Sequence, residues 1–200
     1  MFHSARAGTD LGLRSTLGLQ YVESFRENKL SRVWFPGSGT SLAPRVFAQL
    51  GFDVLSSDFS PVAVAVQESI AVAPLPAEVT AMLEGLDRHA PSKLATKKHD
   101  FRMPLDAVAP FDVVLNVRAF QGLSRDDMPL VAAGHCAALR AGGWAIFETM
   151  NVQGEARNQL ETVLLNAGFF LPLYDTERWY RAKLKATGID HVMILSLIHI

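Results

Sequence analysis

Short apolar runs alternate along the chain with longer amphipathic segments, the pattern of βα units around a mostly parallel sheet. Leu17, Tyr21 and Phe25 recur at i, i+4 and i+8, with Val22 widening the stripe, and predict a helix from Ser15 to Lys29. Val33, Trp34 and Phe35 form a short buried strand, which Pro36 and Gly37 stop. A helix follows from about Leu42 to Leu50, with Ala43, Val46, Phe47 and Leu50 on one face and Gly51 closing it. Phe52 to Ser56 is a second strand, ending at Asp58. Ser60–Pro61 opens a third helix, with Pro at an early position where its missing N–H does no harm.

Residues 72–94 are an insertion between strands: Pro74, Pro76 and Pro91 break the chain, and Glu78 to Arg88 reads as one more helix. Leu94 to Lys98 and Phe111 to Leu115 are strands. Ser124, with Asp127 three residues on, starts a helix with a capping box, and Gly142–Gly143 ends it. Trp144 to Phe147 is a strand, and Ala156 to Asn166 a helix with Leu160, Val163, Leu164 and Ala167 at core spacing and Gly168 at its end. Phe169 to Tyr174 and His191 to Leu197 are the last strands, an antiparallel pair at the sheet edge. The expected architecture is a three-layer α/β/α sandwich on a mostly parallel seven-stranded sheet with an antiparallel edge strand. Residues 1–30 form an N-terminal helical arm and 31–200 the main body, with no linker dividing them.

Composition narrows the class. At ~150 residues per domain, 200 residues make one domain. A chain of this size buries roughly 70% of its unfolded surface without staples. Nineteen Lys and Arg against twenty Asp and Glu leave a net charge of -1, which removes the electrostatic signature of a nucleic-acid binder. Cys136 is the single cysteine, so neither a disulfide framework nor a multi-cysteine metal site is available. The six histidines show no metal-ligand spacing. The first ten residues lack the apolar run of a signal peptide, and the apolar tail from His191 to Ile200 is shorter than the ~20 residues of a membrane helix. A cytoplasmic location is expected. The last residues, LSLIHI, resemble translated adapter sequence, which would make Ser196 to Ile200 non-native, and nothing is built on His199.

The informative segment runs from Arg32 to Val64: strand, Gly-rich turn, helix, strand, acid. Gly37 and Gly39 let the backbone approach a ligand closely, and the next helix points its positive end at the same spot. Asp58 stands at a strand end, where a carboxylate can accept from ribose hydroxyls. The G-x-G-x-x-G of dinucleotide folds fails at Leu42, whereas G-x-G-x-G departs only at Ser41, a small residue. A tight βα turn holding no ligand would show the same glycines.

Later segments add to the turn. FPGSGTS, SSDFSP, KKHDFRMPL, FDVVLNVRAFQGL and LRAGGWAIFE follow one another in order between residues 30 and 197. In that order and spacing the chain resembles the class I S-adenosyl-L-methionine-dependent methyltransferases, which share a Rossmann-like fold. PGSGTS followed by DFSPVAV looks most like the thiopurine-methyltransferase-like branch and the elongation-factor lysine methyltransferases. The resemblance implies S-adenosyl-L-methionine as cofactor, with Pro36, Gly37, Ser38, Gly39 and Thr40 against its methionine part. It implies Asp58 on the ribose with Phe59 beside it, Asp100 on the adenine amino group, and the Phe101 N–H beside the ring. Asn116, ending strand four, would face the methyl and amino groups, and Arg118 would stand on the substrate side. Phe35 departs from the pattern, because many members carry Asp or Glu there for a water-mediated contact to the amino group. Asn116-Val117-Arg118-Ala119 also departs from the N-P-P-[YF] that goes with amide-nitrogen chemistry.

Methyl transfer from a sulfonium needs mainly alignment of nucleophile, methyl and sulfur, so no general base need stand out. The acceptor is expected to be a small molecule. A protein lysine acceptor, a degenerate cofactor-binding subunit and a nicotinamide-dependent oxidoreductase are the rivals. Gln121 and Glu148 are further candidates near the site. His135 and Cys136, mid-helix among alanines, read as packing residues, and Lys93, Lys97 and Lys98 with Arg181, Lys183 and Lys185 as solvated faces. Tyr21 and Phe25 belong either to the core or to a lid running from Arg14 to Phe25.

Overall fold

The computed structural model describes residues 13, 17–84, 86, 90–106, 110–117, 119, 123–124, 126–149, 162–163, 166, 169–170 and 191–197. The strands are β1 (Arg32–Pro36), β2 (Asp53–Asp58), β3 (Leu94–Lys98), β4 (Phe111–Val117), β5 (Leu139–Thr149), β6 (Phe169–Phe170) and β7 (His191–Leu197). They form one sheet in the order β3-β2-β1-β4-β5-β7-β6. The first five run parallel, and β7 pairs antiparallel with both β5 and β6. The helices are α1 (Val22–Glu27), α2 (Ala43–Gln49), α3 (Pro61–Val72), α4 (Ala77–Glu84) and α5 (Asp127–Ala138).

Strand alternation sorts the core into two layers. Val33, Phe35, Val113, Leu115 and Ile146 meet α1, α2 and α4 on one face. Trp34, Val114, Ala145 and Phe147 meet Val131 and Ala132 of α5 on the other. The Trp34 indole is fully buried and donates Nε1–H to Ser57 Oγ at 2.8 Å. Leu17, Leu19, Tyr21, Val22 and Phe25 belong to the first layer, with Phe25 wholly buried against Phe47, Phe52 and Trp144.

The structure revises three boundaries. The helix expected from Ser15 to Lys29 is interrupted: Leu17 N–H donates to Leu13 O, Gly18 takes a φ of +72°, and a 3-10 turn over Leu19–Tyr21 leads into α1. The helix expected from Ser124 begins at Asp127. One contact of the box forms, Asp127 N–H to Ser124 Oγ at 3.2 Å, but the acid accepts from the Ser124 hydroxyl at 2.8 Å, not from the Ser124 backbone N–H as a box requires. Gly142–Gly143 does not end that helix. The helix stops at Ala138, and the pair lies inside β5, where the register shifts between Phe111 and Val113 and Gly142 has a φ of +69°. Of the helix expected from Ala156 to Asn166, positions 162, 163 and 166 are helical; the rest lies outside the described residues, as do 171–174.

Candidate functional site

The chain order reverses between β1 and β4: β2 and β3 lie to one side of β1, and β4 and β5 to the other. In open α/β sheets ligands bind at such a switch point, beyond the carboxyl ends of the strands. A cavity of about 440 Å³ occupies that position. Phe35 and Pro36 of β1 and Leu115 and Val117 of β4 line it, with Ser38, Thr40, Ser41 and Leu42 from the turn and Leu13 and Leu17 from the N-terminal segment. Its walls are apolar on the sheet and N-terminal sides and hydroxyl-bearing at the turn.

The turn is held by its own polar atoms. Ser38 N–H donates to Ser57 O at 3.0 Å, and Ser38 Oγ lies 2.7 Å from Ser56 Oγ. Ser41 Oγ accepts from Ala43 N–H at 3.1 Å at the start of α2. Gly37 and Gly39 have φ values of +60° and +55°, which L side chains rarely adopt. A Cβ on Gly37 would meet Ala119 Cβ at 2.6 Å and Phe101 Cε1 at 3.0 Å, whereas nothing lies within 4 Å of one on Gly39. Gly37 is therefore required by close packing, and Gly39 stands in open space.

Asp58 ends β2 beside this turn, only 8% exposed. Its Oδ2 accepts from Gly39 N–H and its Oδ1 from Ser60 N–H, both at 2.9 Å. Ser60 caps α3 by accepting from Ala63 N–H. The neighbouring Phe59 is 66% exposed, an aromatic face open to solvent at the strand end. His99 N–H donates to Asp58 O, so the loop after β3 follows directly alongside. There Asp100 is gripped by Arg102, whose Nε donates to both carboxylate oxygens and whose Nη2 lies 2.6 Å from Oδ2. The Arg102 hydrogen bonds hold the Asp100 carboxyl below the usual carboxylate range. Burial, with Lys97 nearby, lowers the pKa of His99.

The sequence-derived set thus divides. Pro36, Gly37, Ser38, Gly39, Thr40 and Asp58 come together at the cavity and its turn, and the Phe101 ring lies against Gly37. Asn116 is a correction. It alternates with the cavity-lining Leu115 and Val117, so it faces the other side of the sheet. It is fully buried, with Nδ2 3.3 Å from His135 Nε2, and cannot face a methyl group in the cavity. His135 is a packing residue as expected: Trp34, Phe101 and Phe147 surround the ring, and burial pushes its pKa down to about 3. Burial raises the Cys136 thiol, which leaves it less reactive. Arg118 and Gln121 lie outside the described residues, and Glu148 is described only by its backbone pairing with Val117 and Val192.

Sequence reasoning missed Gln67, which reaches the turn from α3: Nε2 donates to Gly39 O at 3.1 Å and Ser41 O at 2.8 Å. The available signal was one amide inside the apolar run VAVAVQESIAV. Ala119, the neighbour that forbids a side chain at position 37, carried no signal at all.

No protein-family model matches the chain. No curated protein matches it in sequence. Solved structures do match in fold. A TehB-like SAM-dependent methyltransferase from Corynebacterium glutamicum superposes with a TM-score of 0.61 at 15% identity, over 84% of this chain and 80% of that one. The magnesium protoporphyrin IX methyltransferase of Synechocystis, solved with bound SAM, gives 0.63 at 12% identity, over 98% and 85%. An amino pentose methyltransferase from Micromonospora echinaspora, also with bound SAM, gives 0.59 at 14% identity, over 98% and 95%. The architecture is the Rossmann-like methyltransferase fold.

Proposed function

We propose that the chain is an S-adenosyl-L-methionine-dependent methyltransferase acting on a small molecule. The observation that carries this reading is the glycine turn, tied to the Asp58 carboxylate and opening on a cavity at the β1/β4 switch point. The fold shared with solved methyltransferases supports it. The residues fit the cofactor at the turn, where Gly39 leaves open space while Gly37 is taken up by packing against Ala119 and Phe101, and at the end of β2, where Asp58 is followed by the exposed Phe59. At the end of β1 they fit less well, because Phe35 is 3% exposed and packs edge-on against Phe47, with no carboxylate for the amino group.

When bound, the cofactor would supply an electrophilic methyl on sulfonium sulfur. The turn from Pro36 to Thr40 would hold its methionine part, Asp58 the ribose hydroxyls, and Phe59, Asp100 and Phe101 the adenine. The protein's contribution is then to exclude water and fix the approach of the acceptor, which in well-oriented systems is worth up to ~7–11 kcal/mol. Leu13 and Leu17 reach the same cavity, and Tyr21 and Phe25 anchor the segment in the core, so the N-terminal arm would cover the site from a fixed base at Leu17–Phe25. Arg118, next after β4 in sequence, is the proposed cation on the acceptor side. The apolar walls favour a neutral small acceptor over a lysine ammonium. PGSGTS followed by DFSPVAV favours the thiopurine-methyltransferase-like branch. Among the described residues no single helix is long and apolar enough to cross a membrane, which is consistent with the proposed cytoplasmic location.

Thermal unfolding with S-adenosylhomocysteine, S-adenosylmethionine or NAD in separate samples tests the reading. A ligand at 100 times its Kd stabilises by ~2.7 kcal/mol, a rise of roughly 5–10 °C for a chain of this length. A rise with the adenosyl compounds alone is expected; a rise with NAD alone would overturn the proposal.

A further inference from the structure

Gln67 is 1% exposed on a helix that is otherwise largely apolar. Both protons of its amide go to one loop, to Gly39 O and Ser41 O, from 28 and 26 residues away in sequence. Its Oε1 is buried with no hydrogen-bond partner. An orphaned buried oxygen costs stability, and a methionine of similar volume would fill the space without it. Packing alone therefore does not account for an amide at this position.

What the amide holds is the Gly39–Ser41 stretch of the turn. Gly39 has a φ of +55° and nothing within 4 Å of where a side chain would begin, so no side chain packs on that side of it, and hydrogen bonds hold both of its polar groups. Asp58 takes the Gly39 N–H from β2, and Gln67 takes the Gly39 carbonyl from α3. One residue is thus gripped at both of its polar groups, from two different elements. A loop ordered before the ligand arrives avoids the ordering cost on binding.

We propose that Gln67 is a positioning residue of the ligand site, clamping the Gly39–Ser41 carbonyls opposite Asp58 so that the turn is set in advance. The proposal rests on the turn being the cofactor site, and its test separates the two ideas. Wild type, Gln67→Met and Gln67→Glu are compared by amide hydrogen exchange of residues 37–42 without ligand, and by calorimetric titration with S-adenosylhomocysteine. Gln67→Met is expected to fold and to melt within a few degrees of wild type, because losing the orphaned oxygen offsets part of the two hydrogen bonds removed from Gly39 O and Ser41 O. Its turn is expected to exchange at least tenfold faster while residues 53–57 stay unchanged, and its affinity to fall at least tenfold. Gln67→Glu at pH 8 sets a carboxylate against two carbonyls, and its affinity is expected to fall further. At pH 5 protonation restores one donor, and affinity relative to wild type at that pH is expected to recover several-fold. A Gln67→Met protein that exchanges and binds like wild type would overturn the proposal, as would failure of both variants to fold, which would make Gln67 a core residue only. Wild type that does not bind S-adenosylhomocysteine would sink the cofactor reading alone, and the exchange rates would still decide the clamp.

Discussion

Asp58 Oδ2 accepts the backbone N–H of Gly39 at 2.9 Å, across 19 residues of sequence. The same carboxylate takes Ser60 N–H, so one side chain ties the end of β2 to the glycine turn and to the entry of α3. Replacing it by Ala leaves two N–H groups without this acceptor, an expected cost of ~1–3 kcal/mol. Asp58→Ala should lower the melting temperature and weaken S-adenosylhomocysteine binding at least tenfold by calorimetry. Asp58→Asn, which keeps one acceptor oxygen, should recover part of both. Unchanged affinity in Asp58→Ala would remove the ribose contact from the proposed site.

The two turn glycines should respond differently to alanine. At Gly37 the new Cβ overlaps Ala119 and crowds Phe101 in a left-handed conformation. Overpacking and strain together are expected to cost about 2–4 kcal/mol. Gly39→Ala meets no neighbour and should lose only the ~1 kcal/mol of a left-handed residue. Yet its methyl group enters the space of the proposed cofactor, so its binding should suffer more than its stability. Denaturant unfolding and ligand titration of both variants give the comparison.

Asp112 works at the opposite end of the strands. Oδ2 accepts from Ser31 N–H at 2.7 Å and Arg32 N–H at 2.9 Å, and Oδ1 takes Arg140 Nε–H. Burial alone would raise this carboxyl, but the Arg140 and backbone hydrogen bonds outweigh it and hold the group below its ordinary value of 3.8. Asp112→Asn is expected to destabilise by ~1–3 kcal/mol at neutral pH and to leave ligand affinity within twofold of wild type. Because the folded pKa is the lower one, the contribution of the carboxylate is full above that ordinary value and fades as pH falls through the folded pKa. The wild-type and variant unfolding curves should therefore converge in acid.

His135 predicts a second pH dependence. Unfolded, the ring titrates near 6.5; folded, burial drops it to about 3. Between these values the unfolded chain binds the extra proton, so stability is full above 6.5 and declines as pH falls toward 3, by ~1.4 kcal/mol per unit for one group. His99, also lowered, acts in the same direction. A His135→Gln variant should start less stable at pH 7.5 but show a shallower loss between pH 6.5 and 5. An unchanged slope would assign the loss to other groups.

Elements with their own local punctuation were legible in the sequence. Leu94–Lys98 was read to the residue, and the Ser60–Pro61 start of α3 is where the structure has it. Boundaries failed where a residue's meaning depends on what lies across from it. Gly142–Gly143 looks like a helix stop in isolation. In the fold the pair absorbs a register shift against β4, and a Cβ on Gly143 would lie 2.9 Å from Arg140 O and 3.1 Å from Asp112 O. Asn116 was misread for a related reason. Its position at the end of β4 follows from the sequence, but which neighbours its amide meets depends on α5 covering that face.

By itself, the chain determined the βα succession, the glycine turn and the acid after the second strand, because these rest on local periodicity and on backbone angles that only certain residues accept. The tertiary structure decided the rest. It set Gln67 and Asp58 on opposite groups of Gly39, turned Asn116 from the cavity to His135, and brought Leu13 and Leu17 over the ends of β1 and β4. Each of these joins residues far apart in the chain through a hydrogen bond or a packed face. Such contacts form only once the sheet order is closed, and no local pattern encodes them.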